Sequence, residues 1–185
     1  MIESEVLDKY LLVLGFRNVK INNMDEFLNL IRLKSGSSQV QILDANLVAD
    51  FEHIYFSVLN ALKSFKSGLN ISKNLAIEIM LFASGQDQIK KAIEILGVKS
   101  SSRSIAVVII ADSRDEAIST FNAISSAING EVDESVIGLD DKKISNIINT
   151  FGISDFELEA SMRGSLKDAL KNVLIERAAL LMTQR

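Results

Sequence analysis

The chain has 185 residues, with 20 Lys and Arg against 24 Asp and Glu, 48% hydrophobic and 24% charged residues, one His, and no Cys, Trp or Pro; this excludes a disordered chain, a coiled coil and a repeat array. The lack of Cys excludes a disulfide scaffold, a thiolate zinc site, an iron–sulfur cluster and a cysteine nucleophile, and His53 alone leaves no histidine cluster for a metal. The longest apolar run, residues 105–111, falls far short of the roughly 20 residues that cross a bilayer, and residues 1–4 carry an acid where an export signal has basic residues, so a cytoplasmic protein away from membranes is expected.

Residues 10–16, short and apolar, read as a buried strand. Asn22 or Asn23 then caps a helix over 24–34, with Phe27, Leu30 and Ile31 on one face and Gly36 beyond its end. Residues 40–43 are a second strand. Phe51, Ile54, Tyr55, Val58, Leu59, Leu62 and Phe65 recur at three- and four-residue steps, which predicts a long helix over 50–66 ended by Gly68. Ser72 is expected to cap a very apolar helix over 73–83; Ser84-Gly85 separates it from an amphipathic helix over 86–96, closed by Gly97.

Residues 104–111, rich in Ile and Val and free of charge, predict a central strand covered on both faces. Helices over 115–128 and 140–150 follow, and Phe156 to Glu159 alternate like an edge strand. The last helix, 165–182, is apolar on two sides, one carrying Leu170, Val173 and Leu174 and the other Ile175, Ala178, Ala179 and Met182. Such a helix requires either central burial or a partner protein as cover. The sum is a single α+β domain over 1–185, a sheet of three or four strands surrounded by about six helices.

Charge is unevenly spread: residues 63–103 hold seven basic and three acidic side chains, so that stretch carries +4 and the remainder −8. A locally basic face on an acidic body suits contact with phosphates at one place only. Chemistry is otherwise sparse. The nine glycines are scattered singly, so no phosphate loop or dinucleotide fingerprint can be drawn, and no cofactor is expected. Ser84-Gly85 lacks the G-x-S-x-G frame, and His53, in the first turn of a helix beside Glu52, reads as a packed imidazole. No catalytic residue and no enzyme activity are expected.

A collinear set of segments carries a resemblance: Glu52-His53-Ile54, Asn60-Ala61-Leu62, Phe65 through Ile71, Leu75 through Ile79, Ser84-Gly85, Gln88 through Ala92 and Gly97-Val98, then Ile144 through Ile148 and Gly164 through Leu170. In order and spacing these resemble the PRPK-binding (TPRKB-like) accessory subunits of the KEOPS (EKC) complex, in archaeal form. Residues 111–141 and those after 153 match less closely. The resemblance implies a non-catalytic subunit that binds a PRPK-type kinase/ATPase and, through it, a TsaD-like enzyme making threonylcarbamoyladenosine. It also implies tRNA binding through the 3′ CCA end in this tRNA modification.

Both tasks have physical candidates. Lys63, Lys66, Lys73 and Lys91 offer charge to phosphates, while Asn70, Asn74 and Gln88 offer the paired donors and acceptors that read unstacked bases. Phe56 or Phe65 would supply a stacking face, with Phe65 also on the core stripe. For the protein partner the candidates are Ile77, Met80 and Leu81 on the apolar helix and Leu174, Ile175, Ala178 and Met182 on the last one. A regulator that touches only the kinase is the alternative, and the free subunit's apolar surface could also pair with itself as a homodimer.

Overall fold

The computed structural model describes residues 1–184. Its central strand is the one the Ile- and Val-rich run predicts. All seven of its residues, Ile105–Ala111, are buried, because antiparallel neighbours lie on both edges and helices on both faces. Numbered along the chain, the strands are β1 (Ile2–Val6), β2 (Lys9–Arg17), β3 (Gln39–Asp44), β4 (Ile105–Ala111) and the two-residue β5 (Glu131–Val132). Their order is β1-β2-β4-β3, with β5 also pairing β2. Every pairing is antiparallel; Val107 faces Leu14 on one side and Ile42 on the other.

The helices are α1 (Met24–Lys34), α2 (Phe51–Ser67), α3 (Leu75–Ser84), α4 (Ile89–Leu96), α5 (Arg114–Ser125), α6 (Asp141–Phe151), α7 (Asp155–Ala160) and α8 (Leu166–Thr183). Strand alternation sorts them into two layers. Leu12, Leu14, Phe16, Val107 and Ile109 meet Ile31 of α1 and Ala117 and Ile124 of α5. Leu11, Val13, Val108 and Ile110 meet the much larger layer built around α2, α3, α6 and α8. Each fully buried Leu or Ile contributes about 1.5–3 kcal/mol by leaving water.

Several local expectations are corrected. The sheet has five strands rather than three or four, because β1 carries two acids and joins β2 through a Leu7-Asp8 turn in which Leu7 itself takes φ +55°; no Gly marks that turn. Residues 156–159 are not an edge strand: Ser154 and Glu157 form a reciprocal capping box that starts α7. With α7 the described residues form eight α-helices. Asn74, not Ser72, caps α3, accepting from the Ala76 and Ile77 amides at 2.9 and 3.3 Å. The following helix starts at Ile89 rather than Gln86. Gly85 sits at φ +62° and the Gln86 amide returns to Leu81 O, so the chain has just left α3 when Gln86 is reached.

One glycine is required by proximity. The carbonyl of Asp133 and the side chain of Val136 lie where a β-carbon on Gly15 would stand, and the Asp133 amide donates to Gly15 O at 2.8 Å. The 3-10 turn Glu134–Ile137 is thereby laid against β2.

Candidate RNA-binding and partner surfaces

α2 and α3 are joined by residues 68–74, and a buried carboxylate organises that connection. Glu78, on the first turn of α3, is fully buried. It accepts the Ser72 amide at 2.8 Å, the Ile71 amide at 3.4 Å and the Ser64 hydroxyl at 3.3 Å. Asn70 Nδ2 donates to Ser72 O at 3.0 Å, and Ser72 Oγ accepts from the Asn74 amide at 3.1 Å. These bonds give the loop a defined shape without regular structure.

Around this end of α2 and α3 stand Lys63, Lys66, Lys73 and Asn74, all exposed, and Asn70, half-buried. Lys66 pairs with Asp8 at 2.9 Å. Asn70 and Asn74 already spend part of their amides on the loop and on the α3 cap. Gln88 and Lys91 are exposed as well, but they lie past the other end of α3, whose ten residues span about 15 Å. The seven polar candidates thus divide into five at one end of α3 and two at the other. Phe56 is half-buried and makes an edge-on contact with Tyr55; Phe65 is half-buried.

The apolar candidates divide by depth. Met80, Leu81, Leu174 and Ala178 lie in the large core, so they have no surface to give a partner. The reason is position: α3 packs against α2, α4, α8 and β3, which leaves only Leu75 and Ile77 of its ten residues partly exposed. Ile77, Ile175 and Met182 remain half-buried at the surface. With Ile175 and Met182, Ala179 makes up the outer face of α8; Leu180, 49% exposed, lies on another side of that helix, and nearby α7 carries Phe156 at 79%. Leu180 and Phe156 were not among the sequence candidates. Leu180 is legible as the third apolar side of the last helix, whereas Phe156 is hidden by the strand reading of its segment.

His53 is fully buried and held at both nitrogens: Nδ1 accepts the Ala49 amide at 3.3 Å and Nε2 donates to Ala83 O at 2.8 Å. Burial pushes its pKa down to about 4, so at neutral pH it is a neutral tie between α2 and α3. Lys143 is buried beside a polar cavity of about 650 Å³. Its ammonium donates to Val136 O and Gly138 O, each at 2.9 Å, and burial lowers it to about 8. Both bonds satisfy the end of the 3-10 turn, a structural task. Among the described residues there is no group of His, Cys, Asp and Glu fit to hold a metal ion, and no helix is long and apolar enough to cross a membrane.

Compared with known proteins, residues 16–180 match the family described as kinase binding protein CGI-121. The chain is also 34% identical over 146 residues to the "Regulatory protein Cgi121" of Methanocaldococcus jannaschii, covering 79% of this chain and 87% of that protein.

Proposed function

Because the chain belongs to the CGI-121 family of kinase-binding proteins, we propose that it works as a non-catalytic adaptor, holding a PRPK-type kinase/ATPase on one surface and the 3′ CCA end of a tRNA on another. The kinase meets the outer face of α8, through Ile175, Ala179 and Met182. The tRNA meets the α2–α3 end, where Lys63, Lys66 and Lys73 take phosphates and Asn70 and Asn74 read base edges. The kinase in turn brings a TsaD-like threonylcarbamoyltransferase. Gripping one end of the tRNA raises the effective concentration of its distant anticodon arm at that enzyme, with no covalent chemistry by this chain.

The observation that carries the RNA half is the rigid loop. Three exposed lysines and two asparagines share one end of α2 and α3, where Glu78 accepts from the Ile71 and Ser72 amides and from the Ser64 hydroxyl. Preorganised groups lose less entropy on binding than mobile ones. The test is a double substitution, Lys63→Glu with Lys73→Glu, both at exposed positions. It should weaken tRNA binding and reduce the salt slope by about 0.7 for each phosphate that is no longer neutralised. An unchanged slope removes RNA from this surface.

The second reading, a regulator that touches only the kinase, is favoured by the family description itself, which speaks of kinase binding. Affinities for intact tRNA and for tRNA trimmed of its CCA end separate the two: equal and weak values favour the protein-only regulator.

A further inference from the structure

The polar cavity beside Lys143, about 650 Å³ in volume, is built by four segments distant in sequence: the turn after β3, the loop before β4, the 3-10 turn Glu134–Ile137 and α6. Five charged residues line it, Lys99, Lys142 and Lys143 against Asp44 and Asp140. Lys143 is 6% exposed. Its ammonium has three carbonyls as acceptors, Val136 O and Gly138 O at 2.9 Å and Ile137 O at 3.5 Å, and no ion-pair partner among the described residues. Carbonyl dipoles orient a cation without cancelling its charge, and a buried charge is ordinarily paired.

The carboxylates of the wall are engaged elsewhere. Asp44 accepts from the Asn46 amide and side chain, each at 3.0 Å, and from Ser102 Oγ at 2.6 Å. Asp140 caps α6 by accepting from the Lys143 amide at 2.8 Å. Lys99 and Lys142 are exposed, and among the described residues no hydrogen bond or ion pair holds either ammonium. Three cations against two anions leave the wall at +1, and the N-terminal end of α6 adds to that field.

The rest of the lining defines the body of the ligand. It is mostly hydroxyls and amides, including Ser101, Ser104 and Asn146, with Leu47 and Val136 as its apolar members and no aromatic ring. A nucleobase would find nothing to stack on. The cations gather round one hollow instead of following a line, as a nucleic-acid backbone requires. Two ammoniums with unused donors suit a dianion, and the hydroxyls suit a small ligand that is itself hydroxylated.

We propose that this cavity binds a small phosphate monoester with a hydroxylated body, of the size of a sugar phosphate, its phosphate held between Lys99 and Lys142 and facing Lys143. The inference rests on neither the kinase nor the tRNA reading above.

The experiment is calorimetric titration and thermal unfolding of the full chain with ribose 5-phosphate, compared with ribose, which lacks the phosphate, and dimethyl phosphate, which carries one charge fewer. Ribose 5-phosphate should raise the Tm, bind about tenfold or more tighter than either control, and shift the Lys143 amide and Asn146 side-chain resonances. Lys99→Ala with Lys142→Ala, both at exposed positions, should weaken it about tenfold or more. Lys34→Ala with Lys90→Ala removes the same charge from exposed positions outside the cavity and should leave binding unchanged. Binding no tighter than that of dimethyl phosphate, or equal binding by the two double variants, overturns the proposal. A short single-stranded RNA that shifts the same resonances and is lost with Lys99 and Lys142 also overturns it, giving the cavity to nucleic acid.

Discussion

α3 and α8 are both helices with apolar groups on more than one side, and they hide them in different ways. α3 is enclosed by α2, α4, α8 and β3 and keeps eight of its ten residues buried. α8 buries one broad side, with Leu170, Val173, Leu174 and Leu181, and leaves Ala179 and Leu180 in water. Apolar content alone does not separate an enclosed helix from a peripheral one; the arrangement of neighbours does. Both helices build the core, but only α8 also keeps apolar side chains exposed, and on the reading proposed above that exposed surface is the one that meets the kinase.

The contrast predicts opposite responses to substitution. Ile175→Asp should reduce co-purification with the kinase at least a hundredfold below wild type while shifting the urea midpoint little; retained binding would move the kinase elsewhere. Leu81→Ala, in the enclosed helix, should cost about 2–5 kcal/mol of stability, read from urea unfolding, because a fully buried side chain leaves a cavity. A loss below about 1 kcal/mol would mean that α3 packs loosely among its neighbours.

Acid should loosen the same helix through His53. Its pKa lies below the ordinary 6.5, at about 4, so between those values the unfolded chain binds a proton that the native chain refuses. Stability therefore falls as pH drops from about 6.5 towards 4, by roughly 3 kcal/mol in all. Urea midpoints across that window measure the loss, and an imidazole resonance titrating near 6.5 in the native protein would contradict it. The smallest effect belongs to the surface: Lys66→Ala breaks the exposed pair with Asp8 and should change stability by less than about 1 kcal/mol, the usual range for such pairs.

Much of the architecture was legible in the sequence because it depends on local signals. The uncharged Ile and Val run of β4, a cap at Asn22 or Asn23, which the structure places at Asn23, and the Gly68 stop need only a few neighbouring residues to be read. β1 escaped because Leu7 turns the chain with no glycine, and α7 because four alternating residues outweighed the Ser154–Glu157 capping box. At the candidate surfaces the lysines were visible and their context was not. That Glu78 reaches back to Ser64 and Ser72, or that Arg177 binds Phe151 O at 2.7 Å and Glu157 at 2.6 Å, depends on segments brought together only by the fold. The burial of Leu81 and Leu174 has the same origin.

The strand order bears on how the molecule is born. β4 sits between β2 and β3, yet 60 residues separate the end of β3 from its start. On a ribosome working at about 5–20 residues per second, roughly 3–12 s pass after β3 is made before its neighbour begins to appear. During that interval two apolar ribbons wait with unclaimed hydrogen-bonding edges, the condition in which nascent chains stick to one another. Slow translation of residues 45–104 would thus reduce the yield of native protein without altering the folded molecule at all.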